Sequence, residues 1–522
     1  MLFGKREKGK IDNMSENELS SAIDLREAGK YHEAQEWLNQ FLITNPNEPE
    51  ALSLLSQILL LDKKEAESEK ILSKVIKINP ELPSVQRNEV RLLLKQSKFS
   101  EALEKAQILH DRSTDDPENN LILSACFGAN KKDEQALVFI EKALNILPNY
   151  AEAFANRALI RLRAKDIPGF IEDAEKATAL KPHMTHVWSL LSRVYYESKN
   201  LDGAIKAAKK ACELEPANVN FKVSLAEFLR EGEEFSKAIT IFQEAIKLDP
   251  ENSNINVGLG LTFQLNEEIS DAIIAYERAL LINPKSLEAL ANLGTIAKIS
   301  EDWNSALQYF NRALEISPDN ASIHNNKGVT LKDLNRLSEA EESFKKAINL
   351  NENSSQAYSG LSVILTELGR LDEAEANCRQ ALALNPASPQ FNNNLGLILK
   401  GLHRLEEAET YYRKALALNS DLAEAHLNLG DILQENANCH VLSNTDLKNL
   451  NISKEINLKL KEAEESYRKA ISINKGYIAA FRGLGATLIK KGVYDEGLIN
   501  LRKADGSIFF NVKNGISIKS EV

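Results

Sequence analysis

The chain has 522 residues, of which 43% are hydrophobic and 27% are charged, and its formal net charge is -11. No apolar run approaches the roughly 18 residues of a membrane-spanning helix, and no apolar secretory segment follows the basic start. An acidic chain also lacks the basic footprint of a nucleic-acid binder. The four cysteines have neither the pattern of a disulfide framework nor C-x-x-C spacing. Composition therefore predicts a cytoplasmic protein with no membrane span and no nucleic-acid partner.

After a basic N-terminal tail, residues 1–14, the sequence repeats every 34 residues. Prolines show the period most clearly, since nine of them occupy one slot: Pro46, Pro80, Pro148, Pro182, Pro216, Pro250, Pro284, Pro318 and Pro386. Numbering that slot as position 32 places fourteen repeats end to end from Ser15 to about Gly506. Position 20 is alanine in eleven of them, and position 8 is small in nearly all. Small residues at fixed positions mark places where helix backbones pack closely.

Each repeat contains two apolar faces at helical spacing. In the stretch LEALANLGTIAKISEDWNSALQYFNRALEISP, Leu290 and Leu293 belong to one face, and Ala306 and Phe310 belong to the other. Two faces predict two helices, and the proline at position 32 disfavours helix in the residue before it. Each repeat is therefore predicted to be helix, short turn, helix, short turn.

The period and the residue types at positions 4, 7, 8, 20, 24, 27 and 32 resemble the tetratricopeptide repeat. The resemblance implies an all-α, right-handed superhelical solenoid of about 14 helix pairs, with the first helices lining a concave groove. Residues 15–250 form seven divergent repeats, with departures such as Phe170 at position 20, and residues 253–506 form seven repeats closer to the consensus. A 35-residue RNA-reading helical repeat is the nearest rival, and the period and the acidic charge argue against it.

Two segments of the second half depart from the repeats. About 21 residues, 438–458, are inserted between the two helices of one repeat. We predict that Asn436–Ile452 is an exposed loop, either disordered or in contact with a partner, and that about eight inserted residues lengthen the following helix. Residues 507–522 contain short β-prone runs around Asn514 and Gly515. These runs indicate a small hairpin that caps the last repeat, or the start of a linker.

Few residues are candidates for catalysis or metal binding. His183 and His186 are the only clustered histidine pair and lack an evident third ligand. Cys439 and His440 are adjacent but have no orienting third group. The segment Gly483–Leu488 resembles half of a nucleotide-binding loop, but no strand precedes it and its glycine belongs to the repeat. The tryptophans are interpreted as core residues. Since the segments outside the repeats are too short for a catalytic domain, we predict no enzyme activity, no cofactor and no metal.

A polar residue recurs at repeat position 6, where core packing does not require one. The position is asparagine at Asn156 and again at Asn292, Asn326, Asn394 and Asn428, with an interruption at Gly360. An amide both donates and accepts hydrogen bonds, so a row of asparagines toward the groove can pair with the backbone of an extended peptide. We predict the four in the second half to be peptide-binding residues. The alternative is that these amides only bridge neighbouring helices.

The asparagine row also resembles the one in the repeat half of O-linked N-acetylglucosaminyltransferases, a family in which such asparagines grip peptide backbone. The sequence therefore favours a non-enzymatic scaffold that binds an extended peptide or protein segment in the concave groove. The alternative is a substrate-recognition arm for a protein-modifying enzyme, glycosyltransferase-like or other, whose catalytic domain is on another chain. The lysine and asparagine pattern that holds chaperone C-termini is not found, so that class of partner is not favoured.

Overall fold

The computed structural model describes residues 12–443, 450–505, 508–511 and 515–518. Its contacts divide the chain into an N-terminal unit, Met1–Glu267, and a C-terminal unit, Glu268–Val522. Within the described residues, 28 helices follow one another as the first and second helices of the 34-residue repeats. Odd-numbered helices are first helices and even-numbered ones are second helices. The predicted all-α architecture of about 14 helix pairs is confirmed.

Fifteen of the described helices lie in the N-terminal unit. In chain order they are α1 (Asp12–Glu27), α2 (Tyr31–Thr44), α3 (Pro49–Leu61), α4 (Glu65–Ile78), α5 (Pro83–Lys95), α6 (Phe99–Arg112), α7 (Pro117–Ala129), α8 (Asp133–Ile146), α9 (Ala151–Arg163), α10 (Ile167–Leu180), α11 (Thr185–Glu197), α12 (Leu201–Leu214), α13 (Val219–Glu231), α14 (Phe235–Leu248) and α15 (Ser253–Leu265). The first of them begins at Asp12, so the end of the predicted tail, 1–14, is helical. Residues 1–11 of that tail lie outside the described residues.

The other described helices lie in the C-terminal unit. They are α16 (Ile269–Ile282), α17 (Leu287–Ile299), α18 (Trp303–Ile316), α19 (Ala321–Asp333), α20 (Leu337–Leu350), α21 (Ser355–Glu367), α22 (Leu371–Leu384), α23 (Pro389–Gly401), α24 (Leu405–Leu418), α25 (Ala423–Ser443), α26 (Leu450–Ile473), α27 (Ile478–Lys490) and α28 (Tyr494–Asp505). Two short strands follow, β1 (Ile508–Asn511) and β2 (Gly515–Ile518). None of the helices in the described parts of the chain combines the length and apolar character needed to span a membrane.

An aromatic ring at position 24 joins the two helices of a repeat. Phe310 of α18 is completely buried, and it lies against Gly294 at position 8 of α17. A Cβ atom added to Gly294 would come within 2.6 Å of the Phe310 ring. Glycine is needed at position 8 because the ring occupies the space of a side chain, which is the close packing that small residues predict.

The turn between the two helices of a repeat uses a left-handed residue at position 15. Ten such residues in the described chain are not glycine, for example Lys131 with φ 59°, and three are glycine, for example Gly369 with φ 72°. At Lys131 the backbone N–H donates to Gly128 O at 3.1 Å, and the next N–H donates to Phe127 O at 2.9 Å. These bonds satisfy carbonyls at the helix end. The first helix therefore stops at the same repeat position, whatever residue occupies the turn.

The inserted segment 438–458 differs from its prediction. Instead of an exposed loop over Asn436–Ile452, α25 continues to Ser443 and has 21 residues, against 13 in a regular first helix such as α23. The second helix, α26, has 24 residues against the usual 14, so its predicted lengthening is correct and the loop prediction is wrong for most of the segment. The physical reason is that residues 436–460 contain neither glycine nor proline, so nothing in the sequence stops either helix. Residues 444–449 lie outside the described residues.

The two strands at the end of the chain pair in antiparallel fashion. Ile508 lies opposite Ile518, and Asn511 lies opposite Gly515. They occupy the segment 507–522 in which the sequence indicates a hairpin or linker, although Asn514 and the rest of the predicted turn lie outside the described residues. The capping role of this segment stays a prediction.

Candidate functional site

The first helices of the C-terminal unit form a continuous layer. Each helix of the odd series from α17 to α25 packs against the next first helix, in addition to its own second helix. Each first helix in this layer also contacts the second helix of the preceding repeat. We call the surface of these first helices that carries position 6 the first-helix face. The sequence predicts that this surface lines a concave groove for peptide binding.

The four predicted peptide-binding asparagines are half-buried on this face, at equivalent places on four helices: Asn292 on α17, Asn326 on α19, Asn394 on α23 and Asn428 on α25. Asn394 Nδ2 donates to Ser359 Oγ at 3.3 Å, and Asn428 Nδ2 donates to Asn393 Oδ1 at 3.0 Å. Both acceptors are at position 5 of the preceding first helix. Two of the four amides therefore bridge neighbouring helices, as the alternative interpretation expects, and each keeps an amide oxygen that accepts no hydrogen bond within the described chain.

The other two asparagines make different contacts. Asn326 Oδ1 accepts a hydrogen bond from Lys298 Nζ at 3.4 Å. Burial lowers the pKa of Lys298, although the nearby Asp333 carboxylate opposes the shift. Asn292 makes no side-chain hydrogen bond to any described residue. The row is thus a set of half-exposed amides in different bonding states rather than four copies of one contact.

Gly360 interrupts the row for a packing reason. A Cβ atom at Gly360 would overlap the ring of Phe344, so no side chain fits there. The absence of an amide at position 6 affects Asn325, which occupies position 5 of the preceding first helix. Its Oδ1 is buried and has no partner in the described chain, because the next repeat supplies no position-6 amide.

Apolar side chains at position 9 run beside the asparagine row. Val329 and Val363 are half-buried, and Leu397 is 46% exposed. The next residue in this series is Asp431, which accepts a hydrogen bond from Tyr467 OH at 2.7 Å and lies 3.6 Å from Lys400 Nζ. The first-helix face therefore combines amides, a short apolar stripe and a charge pair at one end.

The N-terminal unit presents a different chemistry at the same repeat positions. Glu118 at position 2 pairs with Arg87 at 2.5 Å and also with Arg91. Burial alone would raise the pKa of Glu118, but the Arg91 and Arg87 guanidinium groups hold it below its ordinary value. The sequence analysis missed Asn88, which is buried at position 6 and donates to Ser53 O at 2.8 Å. Extending the position-6 comparison to the third repeat would have found it.

The residues singled out for metal binding do not assemble into a site. His183 contacts the backbone near Gly29, and the described residues contain no group of three or more His, Cys, Asp or Glu side chains that could hold a metal ion. Burial raises the pKa of Cys126 to about 12 and that of Cys378 to about 11, so neither is a ready nucleophile. The Cys439 and His440 side chains lie outside the described residues.

Two further predictions concern packing. Gly483, in the segment that resembles half a nucleotide-binding loop, lies directly against the Tyr467 ring, so it is a packing glycine. The tryptophans are less buried than core residues. Trp37 is half-buried and stacks on Phe41 with ring centroids 5.4 Å apart. Trp188 donates from Nε1 to Pro182 O at 2.8 Å, which ties a first helix to the turn before it.

Family models of the tetratricopeptide repeat match residues 285–353, residues 19–83 and 325–389, and residues 389–422, and the model of the cytochrome c-type biogenesis protein H TPR domain matches residues 177–289. No curated protein matches the chain.

Solved structures with similar folds share little sequence with this chain. The Cut9-Hcn1 hetero-tetramer of the APC/C is 14% identical, covers 90% of this chain and 95% of that one, and has a TM-score of 0.42. Yeast Tom70 is 16% identical, covers 82% and 92%, and has a TM-score of 0.37. The C-terminal part of a TPR repeat-containing protein from Cytophaga hutchinsonii is 15% identical, covers 46% and 98%, and has a TM-score of 0.41.

The family models match stretches of both units, and the regions they match have the 34-residue period and the helix pairs described above. The narrower resemblance to O-linked N-acetylglucosaminyltransferases stays a prediction. Repeats of this family serve protein interaction in general, through the extended surfaces that stacked helix pairs create. The chain belongs to the tetratricopeptide-repeat family.

Proposed function

We propose that the chain is a non-enzymatic scaffold that binds an extended segment of a partner protein on the first-helix face of the C-terminal unit. The observation that carries the proposal is the row of four half-exposed amides: Asn292, Asn326, Asn394 and Asn428. Amides recognise the peptide group itself, because each offers both a donor and an acceptor. Such a row can therefore bind peptides of many different sequences, provided that they share one backbone conformation.

The contacts of the row support a pre-organised surface. The Nδ2 groups of Asn394 and Asn428 are held by position-5 residues of the preceding helices, so both side chains already have a defined orientation. Their Oδ1 atoms can accept hydrogen bonds from the backbone N–H groups of a bound segment. A pre-oriented side chain loses less conformational entropy on binding. The helix-bridging role and the peptide-binding role are therefore compatible in these two residues.

The apolar stripe beside the row supplies the remaining affinity. Val329, Val363 and Leu397 expose apolar surface next to the amides. Burial of such surface stabilises a complex by about 25 cal/mol per Å². An extended segment has side chains on alternate sides, so it can place backbone groups on the amides and some side chains on the stripe.

The test replaces all four asparagines by alanine. Each lost hydrogen bond is expected to weaken binding by about 0.5–1.5 kcal/mol, so partner proteins captured from lysate by the immobilised chain should be strongly reduced. The matched control replaces four asparagines on second helices of the same unit: Asn304, Asn311, Asn349 and Asn377. Equal capture by the quadruple variant and the control would contradict the proposal.

The same capture experiment separates the two functional hypotheses. A scaffold should recover a partner directly, and its peptide segment should map to the first-helix face by chemical crosslinking. A recognition arm should instead recover one modifying enzyme together with proteins that this enzyme modifies. Recovery of such an enzyme in amounts matching the chain would favour the second hypothesis.

A further inference from the structure

The N-terminal unit contacts itself between repeats that are far apart in sequence. Lys181, in the turn after α10, reaches the carboxylate of Glu27 at the end of α1 and lies 2.6 Å from Glu152 Oε1 at the start of α9. Gly29, just after α1, lies against the side chain of His183. A Cβ atom at Gly29 would be 3.0 Å from His183 Cβ. The first repeat thus meets the end of the fifth.

A second contact joins the corresponding turns one repeat further along, with the charges reversed. Lys63, in the turn after α3, lies 3.7 Å from Glu215, which follows α12. Lys181 and Glu215 occupy the same repeat position, 31, in consecutive repeats. The ends of the first helices of repeats 1 and 2 therefore face the turns that close repeats 5 and 6. Two neighbouring contacts of one kind indicate a continuous edge rather than an isolated ion pair.

The first helices of the N-terminal unit form a corresponding first-helix face that carries the chain's own paired charges. Arg26 of α1 donates to Gln57 of α3 at 2.7 Å, and both Arg87 and Arg91 of α5 pair with Glu118 of α7. A peptide that displaced Glu118 would leave the half-buried Arg91 without a carboxylate partner, which is costly.

Lys181 is the critical group at the edge. It pairs with two carboxylates at once, and the second oxygen of Glu152 is buried without a partner in the described chain. Burial alone would raise the pKa of Glu27, but Lys181 and Arg26 hold it below its ordinary value. Without the ammonium group, two carboxylates would face each other and repel.

We propose that Lys181 is an ionic latch that keeps the N-terminal unit closed and its first-helix face inaccessible to peptides. The latch joins repeat 1 to repeat 5 through Glu27 and Glu152. Opening it separates the ends of α1 and α3 from the turns of repeats 5 and 6. This closure is independent of what the C-terminal unit binds.

The test is Lys181→Glu in the full chain, studied by small-angle X-ray scattering and by amide hydrogen exchange. The radius of gyration should increase, and exchange in α1 and α2 should become about tenfold faster or more. Helicity by circular dichroism should be unchanged, because no repeat is disrupted internally. The matched control is Lys176→Glu. Lys176 is in the same repeat, but its ion pair is within its own helix, with Glu172 at 2.6 Å.

A charge-swapped variant decides the case in which Lys181→Glu also lowers helicity. Glu27→Lys and Glu152→Lys combined with Lys181→Glu restore both ion pairs with reversed charges, because one carboxylate then lies between two ammonium groups. Restored compactness and exchange protection in this triple variant would support the latch. The proposal is overturned if Lys181→Glu leaves both measurements unchanged, if Lys176→Glu has the same effect, or if the triple variant stays open or unfolded.

Discussion

The two units use the same helix pair but give their first-helix faces opposite chemistry. In the N-terminal unit, position 2 supplies Glu118 to two arginines, and Lys181 closes the edge. In the C-terminal unit, position 6 supplies amides, and Leu397 at position 9 is exposed. The packing positions 8, 20 and 24 hold the helices together in both units. The residues that build the solenoid are therefore separate from those that determine whether its first-helix face carries paired charges or half-exposed amides.

Lowering the pH is expected to destabilise the N-terminal unit more than the C-terminal unit. Burial tends to raise the pKa values of Glu27 and Glu118, but their cationic neighbours hold both below the ordinary 4.5. A depressed carboxylate pKa contributes stability above pH 4.5 that is lost as the pH falls through the lower folded value. The titratable and charged groups facing these two carboxylates include Arg26, Arg87, Arg91, Lys181, Glu152, Tyr31 and Tyr150. Below pH 4.5 the N-terminal unit should therefore lose hydrogen-exchange protection first.

Two surface acids of the C-terminal unit provide the internal control for the acid experiment. Glu373 and Glu407 also have pKa values lowered by arginines, Arg370 and Arg404, but these two pairs are on the surface and contribute little. Glu341 and Glu375 pair with the same arginines and are less exposed, so some loss of protection is also expected around them. Pulse labelling after incubation at stepped pH would measure both units in one sample. Simultaneous loss of protection in both units would contradict the difference between them.

Removal of Glu118 should destabilise the N-terminal unit. Glu118→Ala leaves Arg91 without a carboxylate, while Arg87 keeps Asp116, and it should lower the free energy of unfolding by about 1–2 kcal/mol. Glu288 occupies the same repeat position in the C-terminal unit and is exposed. Glu288→Ala should change the free energy of unfolding by less than about 0.5 kcal/mol. Urea unfolding followed by hydrogen exchange measures each unit, and equal effects would show that position 2 does not distinguish them.

The position-24 tyrosines offer a comparison within the C-terminal unit. Tyr467 OH is satisfied by Asp431 at position 9, whereas Tyr412 OH is buried without a partner in the described chain and has Leu397 at position 9. Asp431→Leu should cost about 1–2 kcal/mol by stranding a hydroxyl group. Leu397→Asp should raise stability by about 0.5–1 kcal/mol by supplying an acceptor. Thermal unfolding measures the direction of both stability changes. A fall in stability for Leu397→Asp would contradict the prediction that an acid at position 9 pairs with a tyrosine at position 24.

The smallest expected effect concerns the left-handed residue of the turns. Gly369 has φ 72° and open space around its Cα, so Gly369→Ala should cost about 1 kcal/mol of backbone strain. Lys131 has φ 59° at the same repeat position, and Lys131→Gly should stabilise by about 0.5 kcal/mol because glycine relieves that strain. Midpoints of urea unfolding would show shifts of opposite sign. Shifts of the same sign would mean that the side chain, and not the backbone conformation, determines the effect of a substitution at this position on stability.

Much of the fold could be predicted because it is periodic and local. The 34-residue spacing, the small residue at Gly294 and the ring of Phe310 are enough to predict two packed helices. The inserted segment was less predictable, since its asparagines favour a loop by composition. The absence of glycine and proline turned out to matter more, and both helices continue into it.

The candidate site was predicted only in part. Asn394 and Asn428 occupy the expected face, but their bonds to Ser359 and Asn393 depend on how two helices 34 residues apart pack against each other. The unpaired oxygen of Asn325 likewise follows from a glycine in the next repeat. Repeat positions identify which residues share a face, but they do not identify which atoms on that face are already bonded.

The repeat, its helix pairs and the row of amides follow from the sequence alone, because each depends on residues within one or two repeats. The closure of the N-terminal unit through Lys181, and the pairing of its charges across helices, could be seen only in the folded chain. This is because the effect of a charged side chain depends on the group opposite to it. For Lys181 one of those groups is Glu27, four repeats earlier in the chain, and the repeat positions of the two residues do not predict that they are close together.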